Sequence, residues 1–131
     1  MKKSMMFSLA LALTGILASQ VSFAGYPDKA DIAEFCRKVA SELNQIAASK
    51  KPDGCTGDVQ VAAAYLSATE TKVRHERFNE ALVSVHYGES ELKEIAYSRA
   101  YCAHFSPLVK PYIAKVIRIT SELEVLERIK A

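Results

Sequence analysis

The 131-residue chain has no Trp, four Pro, five Gly and three Cys, and aromatic residues make up only 8% of it. So little Gly and Pro excludes collagen-like and low-complexity chains. Half of the residues are hydrophobic and 24% are charged, which excludes a strongly charged disordered chain. A large excess of one charge is also lacking, since the formal net charge is +2. There is no Gly-rich phosphate loop, no Cys-x-x-Cys-His haem attachment site, no internal repeat and no linker. No motif is complete enough to name a family. The length fits one domain.

What is present begins with an address. Met1-Lys2-Lys3 is a short basic stretch, and Met5 to Leu17 is apolar apart from Ser8, Thr14 and Gly15. A membrane span needs ~20 apolar residues, so this run suits the core of a signal peptide. Ser22-Phe23-Ala24 supplies small residues at the first and third places of a cleavage site. The expected organisation is a signal peptide over 1–24, cleaved after Ala24, and a single all-α domain over 25–131. Such a protein is periplasmic or secreted and has no stable membrane anchor. Without Lys2 and Lys3, fifteen basic residues face fifteen acidic ones, so the excess charge belongs to the export segment. It therefore gives no argument for a nucleic-acid partner.

The remainder reads as helices. Asp28 is a candidate N-cap, and Ile32, Cys36, Val39, Leu43 and Ile46 form a 4-3-4-3 stripe that ends at Lys50-Lys51-Pro52-Asp53-Gly54. Asp58 is the next candidate N-cap. Ala62, Tyr65, Leu66, Thr69 and Val73 make one stripe, while Phe78, Ala81, Leu82 and Val85 make another that lies roughly 150° around the helix. The span 58–87 is thus two helices joined near Arg74–Glu76, or one long helix that changes partners. Gly88 reads as a C-terminal cap, and Ser90 as the start of a helix running to Phe105. After Ser106-Pro107 a last helix carries Val109, Tyr112, Val116, Ile119, Leu123 and Leu126 in a bundle-like 3-4-3-4-3 order, flanked by Ile113 and Ile117. The expected fold is a small antiparallel bundle of four or five helices stapled by one disulfide.

The pairing of the cysteines depends on that helix count. A Cys36–Cys55 bridge is disfavoured because the first helix runs about 20 Å beyond Cys36 before it turns. Two helices over 58–87 bring Cys36 to Cys102 across the core, and one long helix brings Cys55 to Cys102 at one end. The phase break near Arg74 favours Cys36–Cys102, with Cys55–Cys102 as the alternative. Either would stabilise the fold by ~2–4 kcal/mol.

Catalytic chemistry finds little support. A nucleophilic Cys needs a base partner, and nothing local marks one. His75-Glu76-Arg77-Phe78-Asn79 resembles a zinc-protease helix, but Asn79 stands where the second His ligand is needed. His75 and His86, eleven apart, would lie ~16 Å apart on one helix, too far to share an ion. Glu89, Glu91 and Glu94, and Glu122, Glu124 and Glu127, have the spacing of solvated helix faces. No catalytic residue, metal site or cofactor is therefore expected, and the residue set leans away from an enzyme.

One surface stands out. On a 90–105 helix, Tyr97, Tyr101, His104 and Phe105 lie opposite Leu92, Ile95 and Ala96. Tyr couples a large contact area to a polar tip, which favours interfaces. This is the candidate binding face, and Arg99, set in the apolar stripe, is a candidate anion contact. The expected function is an exported helical protein that acts by protein binding, as an inhibitor, immunity-type protein or small chaperone, through a protein partner or self-association. The alternative is a periplasmic carrier of a small ligand or cofactor, with a pocket between helices near Arg99.

Overall fold

A computed structural model describes residues 27–130. The expected signal segment and cleavage site lie outside the described residues. Four α-helices account for most of the described residues: α1 (Lys29–Ala48), α2 (Gly54–Arg74), α3 (Phe78–Lys93) and α4 (Ser106–Lys130). Among the described residues there is no strand. No helix among them is long and apolar enough to cross a membrane.

Each start has a local cause. Asp28 caps α1 by accepting from the Ala30 amide at 3.0 Å. The N-cap of α2 is Asp53, which corrects the expectation for Asp58. Asp53 accepts from the Cys55 and Thr56 amides, and Thr56 Oγ1 accepts from the Asp53 amide in return. That reciprocal pair satisfies donors that a helix start leaves open. Asp58 lies inside α2, one turn further on.

The joint between α2 and α3 falls at His75–Arg77, where the two apolar stripes lose phase. Glu76 there has φ 60°, a left-handed conformation uncommon for a side chain with a Cβ. It is held from two sides. Lys29 pairs with its carboxylate, and Lys130 Nζ donates to its carbonyl at 2.6 Å. The start of α1, the α2–α3 turn and the end of α4 therefore share one end of the molecule. The start of α2 and the end of the α3 extension share the other. The chain runs up, down, up, down, with each helix packed on the next and α4 closing on α1. The core runs between all four, from Ile32, Leu43 and Leu66 to Leu92, Ile119 and Leu123, all fully buried.

Gly88 does not end a helix. It lies within α3, and a Cβ there would stand 2.7 Å from Leu66 Cδ2. Its role is close approach of α3 to α2 rather than a cap. The expected Ser90–Phe105 helix is corrected with it. α3 continues through Gly88 to Lys93, widens into a π turn over Glu94–Ser98, breaks at Arg99 (φ −97°, ψ 107°) and re-forms as a short 3-10 turn over Ala100–Cys102. Ser106 Oγ then ties back to the Ala96 carbonyl at 2.7 Å as α4 begins. Pro107 and Pro111 are both exposed, so the carbonyl left without its helical donor faces water. On α4, Ile113 is buried, but Ile117 is 43% exposed and does not add a second buried side.

The disulfide joins Cys55 to Cys102, with Cα atoms 5.2 Å apart. This corrects the favoured Cys36–Cys102 pairing and matches the alternative. The reason is topological. With α3 continuous through Gly88, the chain from 58 to 98 is two helices, not three, and Cys102 is returned to the end where α2 starts. Cys36 is the free thiol, fully buried in the core. Burial pushes its pKa up to about 12, so it stays protonated and unreactive near neutral pH.

Candidate functional site

The residues singled out in the sequence converge on the disulfide end of the bundle. Three pieces of chain build it: the start of α2, the end of α3, and the irregular segment 94–105. The π turn inserts one residue into the helical count, seen in the Arg99 amide donating to the Glu94 carbonyl five residues back at 2.9 Å. Downstream side chains are thereby rotated away from where a continuous helix would place them.

Arg99 is the hub. Its Nη1 lies 2.5 Å from Glu91 Oε2 and 3.2 Å from Asp58 Oδ2, and its Nε lies 3.8 Å from Glu94 Oε1. The hydrogen bond to Glu91 is the main reason its pKa is pushed still higher. The anions that Arg99 meets are thus the chain's own carboxylates. Asp58 is shared, because Tyr101 donates its hydroxyl to Asp58 Oδ2 at 2.7 Å. That bond to a carboxylate raises the Tyr101 pKa above its ordinary value. Below them the Cys55–Cys102 bridge is buried, with Cys102 Sγ 3.7 Å from the same oxygen.

Cys55, Asp58 and Cys102 form the one group of three possible metal ligands among the described residues. Both sulfurs are spent in the bridge, and the Asp58 oxygen already has two partners, so this donor set does not suit an ion. His75 is the C-cap of α2 while His86 lies in α3, so these two histidines are not on one helix, and the protease-like sequence straddles a turn. His104 sits at the disulfide end, its Nε2 2.6 Å from Asp53 Oδ2. Desolvation works to raise the Asp53 pKa, but the amides of Cys55 and Thr56 and the nearby His104 outweigh it and hold the carboxyl below its usual value.

Of the expected binding face, Tyr97 and Tyr101 are on the surface, 69% and 57% exposed. His104 is beside them in sequence but is engaged with Asp53. Phe105 is fully buried, and this corrects its place on the face. The break at Arg99 turns it into the core. Sequence reasoning missed Asp58, Glu91 and Asp53 as partners of Tyr101, Arg99 and His104. Spacings such as Glu91 to Arg99 cross a helix end, where the i,i+4 rule has no purchase.

Polar side chains buried without a hydrogen-bond partner are absent among the described residues. A cleft open at the surface is lined by Arg99 together with Ala96, Tyr97, Ser98, Ala100 and Ser106. Comparison with family models, curated proteins and solved structures finds no match for the chain.

Proposed function

We propose that the protein is exported, loses residues 1–24, and acts in an oxidising compartment by binding another protein, in an inhibitor, immunity-type or small-chaperone role. The observation that carries this reading is the pair of exposed tyrosines on a fixed segment. Tyr97 and Tyr101 leave most of their surface in water, yet the segment that carries them is held by Arg99, by the Tyr101–Asp58 hydrogen bond and by the covalent bridge at the next residue, Cys102. A surface that is ordered before binding loses less conformational entropy on docking. Lys110 Nζ, 5.2 Å from the Tyr97 ring centre, adds a cation beside that tyrosine. The disulfide is in keeping with export, since such bonds persist in oxidising compartments. A carrier function would use the cleft that Arg99 lines, and an anion there would have to displace one of the three carboxylates that this guanidinium already holds.

The test is capture from periplasmic extract with wild-type protein and with Tyr97→Ala/Tyr101→Ala. The expected outcome is a partner held by the wild type and lost by the variant, with helical content unchanged and the thermal midpoint lowered only by the few degrees that loss of the Tyr101–Asp58 bond costs. Capture of the same proteins by both, or of none by either, refutes the reading.

A further inference from the structure

Cys55, Cys102 and Asp58 bring two sulfurs and a carboxylate oxygen within 4.8 Å of one another. While the bridge stands, the sulfurs are neutral and bonded to each other, so they hold no ion. Opening the bridge changes the donor set. A dithiol attacks one sulfur, the S–S bond breaks, and the dithiol closes to its own disulfide. Two electrons and two protons pass from the dithiol to the bridge, and Cys55 and Cys102 become thiols. They stay side by side, because the chain around each is held without the bridge. The start of α2 rests on the Asp53–Thr56 cap, and Arg99 pairs with Glu91 and Asp58.

Zinc takes such ligands, at ~2.3 Å to a thiolate sulfur and ~2.0 Å to a carboxylate oxygen. A tetrahedral ion with those bonds sets its sulfurs ~3.8 Å apart and each sulfur ~3.5 Å from the oxygen. Cys102 Sγ is already 3.7 Å from Asp58 Oδ2. Rotation of the two freed side chains away from each other completes the triangle. A ligating carboxylate is normally oriented by hydrogen bonds from behind. Asp58 has the Tyr101 hydroxyl at 2.7 Å and Arg99 Nη1 at 3.2 Å. An ionised carboxylate has about four acceptor positions, so these two partners leave room for an ion. Charge agrees as well. Two thiolates match the two charges of the ion, and Asp58, Glu91 and Glu94 outnumber Arg99 around it, which favours a cation. The sulfurs are buried while the Asp58 side chain is 24% exposed, so the fourth position, for water, falls on the open side. We propose that the reduced protein binds one zinc ion through Cys55, Cys102 and Asp58. The two thiol protons go to water as the two S–Zn bonds form. The ion then joins α2 to segment 94–105 in place of the bridge, and the two exclude each other. This site does not rest on the protein-binding role proposed above.

Cobalt(II) alone is the first probe, on Cys36→Ala protein that a dithiol has reduced and that has been freed of it under nitrogen. One cobalt ion per chain is expected, with a thiolate-to-cobalt band in the near ultraviolet and the visible bands of a tetrahedral ion. Zinc added in equal amount removes them, and the oxidised protein shows none. Asp58→Asn weakens binding more than about tenfold, and Tyr101→Phe, which removes only a donor behind Asp58, weakens it about tenfold. Reduced protein without these bands, or oxidised protein with them, overturns the proposal. Wild-type affinity in Asp58→Asn overturns the third ligand. A second measurement needs no substitution. Zinc should raise the thermal midpoint of the reduced chain but not of the oxidised one, and should slow re-formation of the bridge by a disulfide oxidant. A midpoint and a reoxidation rate that both ignore zinc overturn the site.

Discussion

Reducing the Cys55–Cys102 bridge frees the unfolded chain far more than it disturbs the native one. The bond spans 47 positions. The entropy of closing a loop of that length corresponds to ~4 kcal/mol of stability at 25 °C. In the native state the same segment is also held by Arg99 on Glu91 and Asp58, by the Tyr101 hydroxyl and by buried Phe105. Reduction alone should therefore leave the bundle folded but weaker. For a domain of about a hundred residues, each kcal/mol moves the thermal midpoint by ~4–8 °C, so the expected drop is about 15–30 °C. Thermal unfolding followed by circular dichroism, with and without a dithiol reductant, measures that drop, and urea unfolding measures the gap in free energy. The slope against urea should also rise on reduction, because an uncrosslinked chain exposes more surface when it unfolds. Cys36→Ala is the control. It removes a buried sulfur at a modest packing cost and should leave the gap between oxidised and reduced protein unchanged. A gap below about 1 kcal/mol, or a gap abolished by Cys36→Ala, would refute the reasoning. So would a Cys36–Cys102 peptide pair in a non-reduced digest.

Two other perturbations follow from the geometry. Gly88→Val sets a branched side chain where even a Cβ would be 2.7 Å from Leu66 Cδ2, and Leu66 is fully buried. Over-packing of this kind costs ~1–3 kcal/mol, and an unchanged urea midpoint would show that the α2–α3 approach is looser than described. Asp53 binds its proton less tightly folded than unfolded, so its contribution is complete above its ordinary value of 3.8 and fades as pH falls through the lower folded value. Asp53→Asn should thus be less stable than wild type near neutral pH, and the two should converge on acidification. A difference in urea midpoint that does not change with pH would contradict a contribution from the Asp53 charge.

The sequence makes the four-helix architecture legible because each helix keeps its own periodic stripe. α1 and α4 could be read nearly to their ends, from Asp28 with its 4-3-4-3 row and from the Val109–Leu126 row. The joint near His75 was visible as a loss of phase without any Gly or Pro, because apolar side chains must face the core whatever the turn is made of. Gly88 is the instructive failure. Gly serves a helix end and a close helix contact equally well, and only the position of Leu66 on another helix decides between them. That single choice carried the cysteine pairing with it. A cap at Gly88 adds a helix and reverses the direction of everything after it, which sends Cys102 toward Cys36 rather than Cys55.

The candidate site was half legible for a related reason. A helical wheel assumes a constant angle per residue, and the assumption holds for Leu92, Ile95 and Ala96, all buried as expected. It fails at the π turn and at Arg99, after which Phe105 turns inward while Tyr101 stays out. The partners fail with it, since Asp58 and Tyr101 are 43 positions apart and meet only because the bundle folds α2 and the α3 extension to the same end. The irregularity is not incidental to the surface. A continuous helix through 99 would carry the chain straight past the end of α2. The break lets it turn across that end, where the disulfide, the Arg99 cluster and the exposed tyrosines come to occupy one corner. If the tyrosines are the contact that function uses, the break at Arg99 is what presents them, and restoring helix there should displace Tyr101 from Asp58 before it disturbs the core.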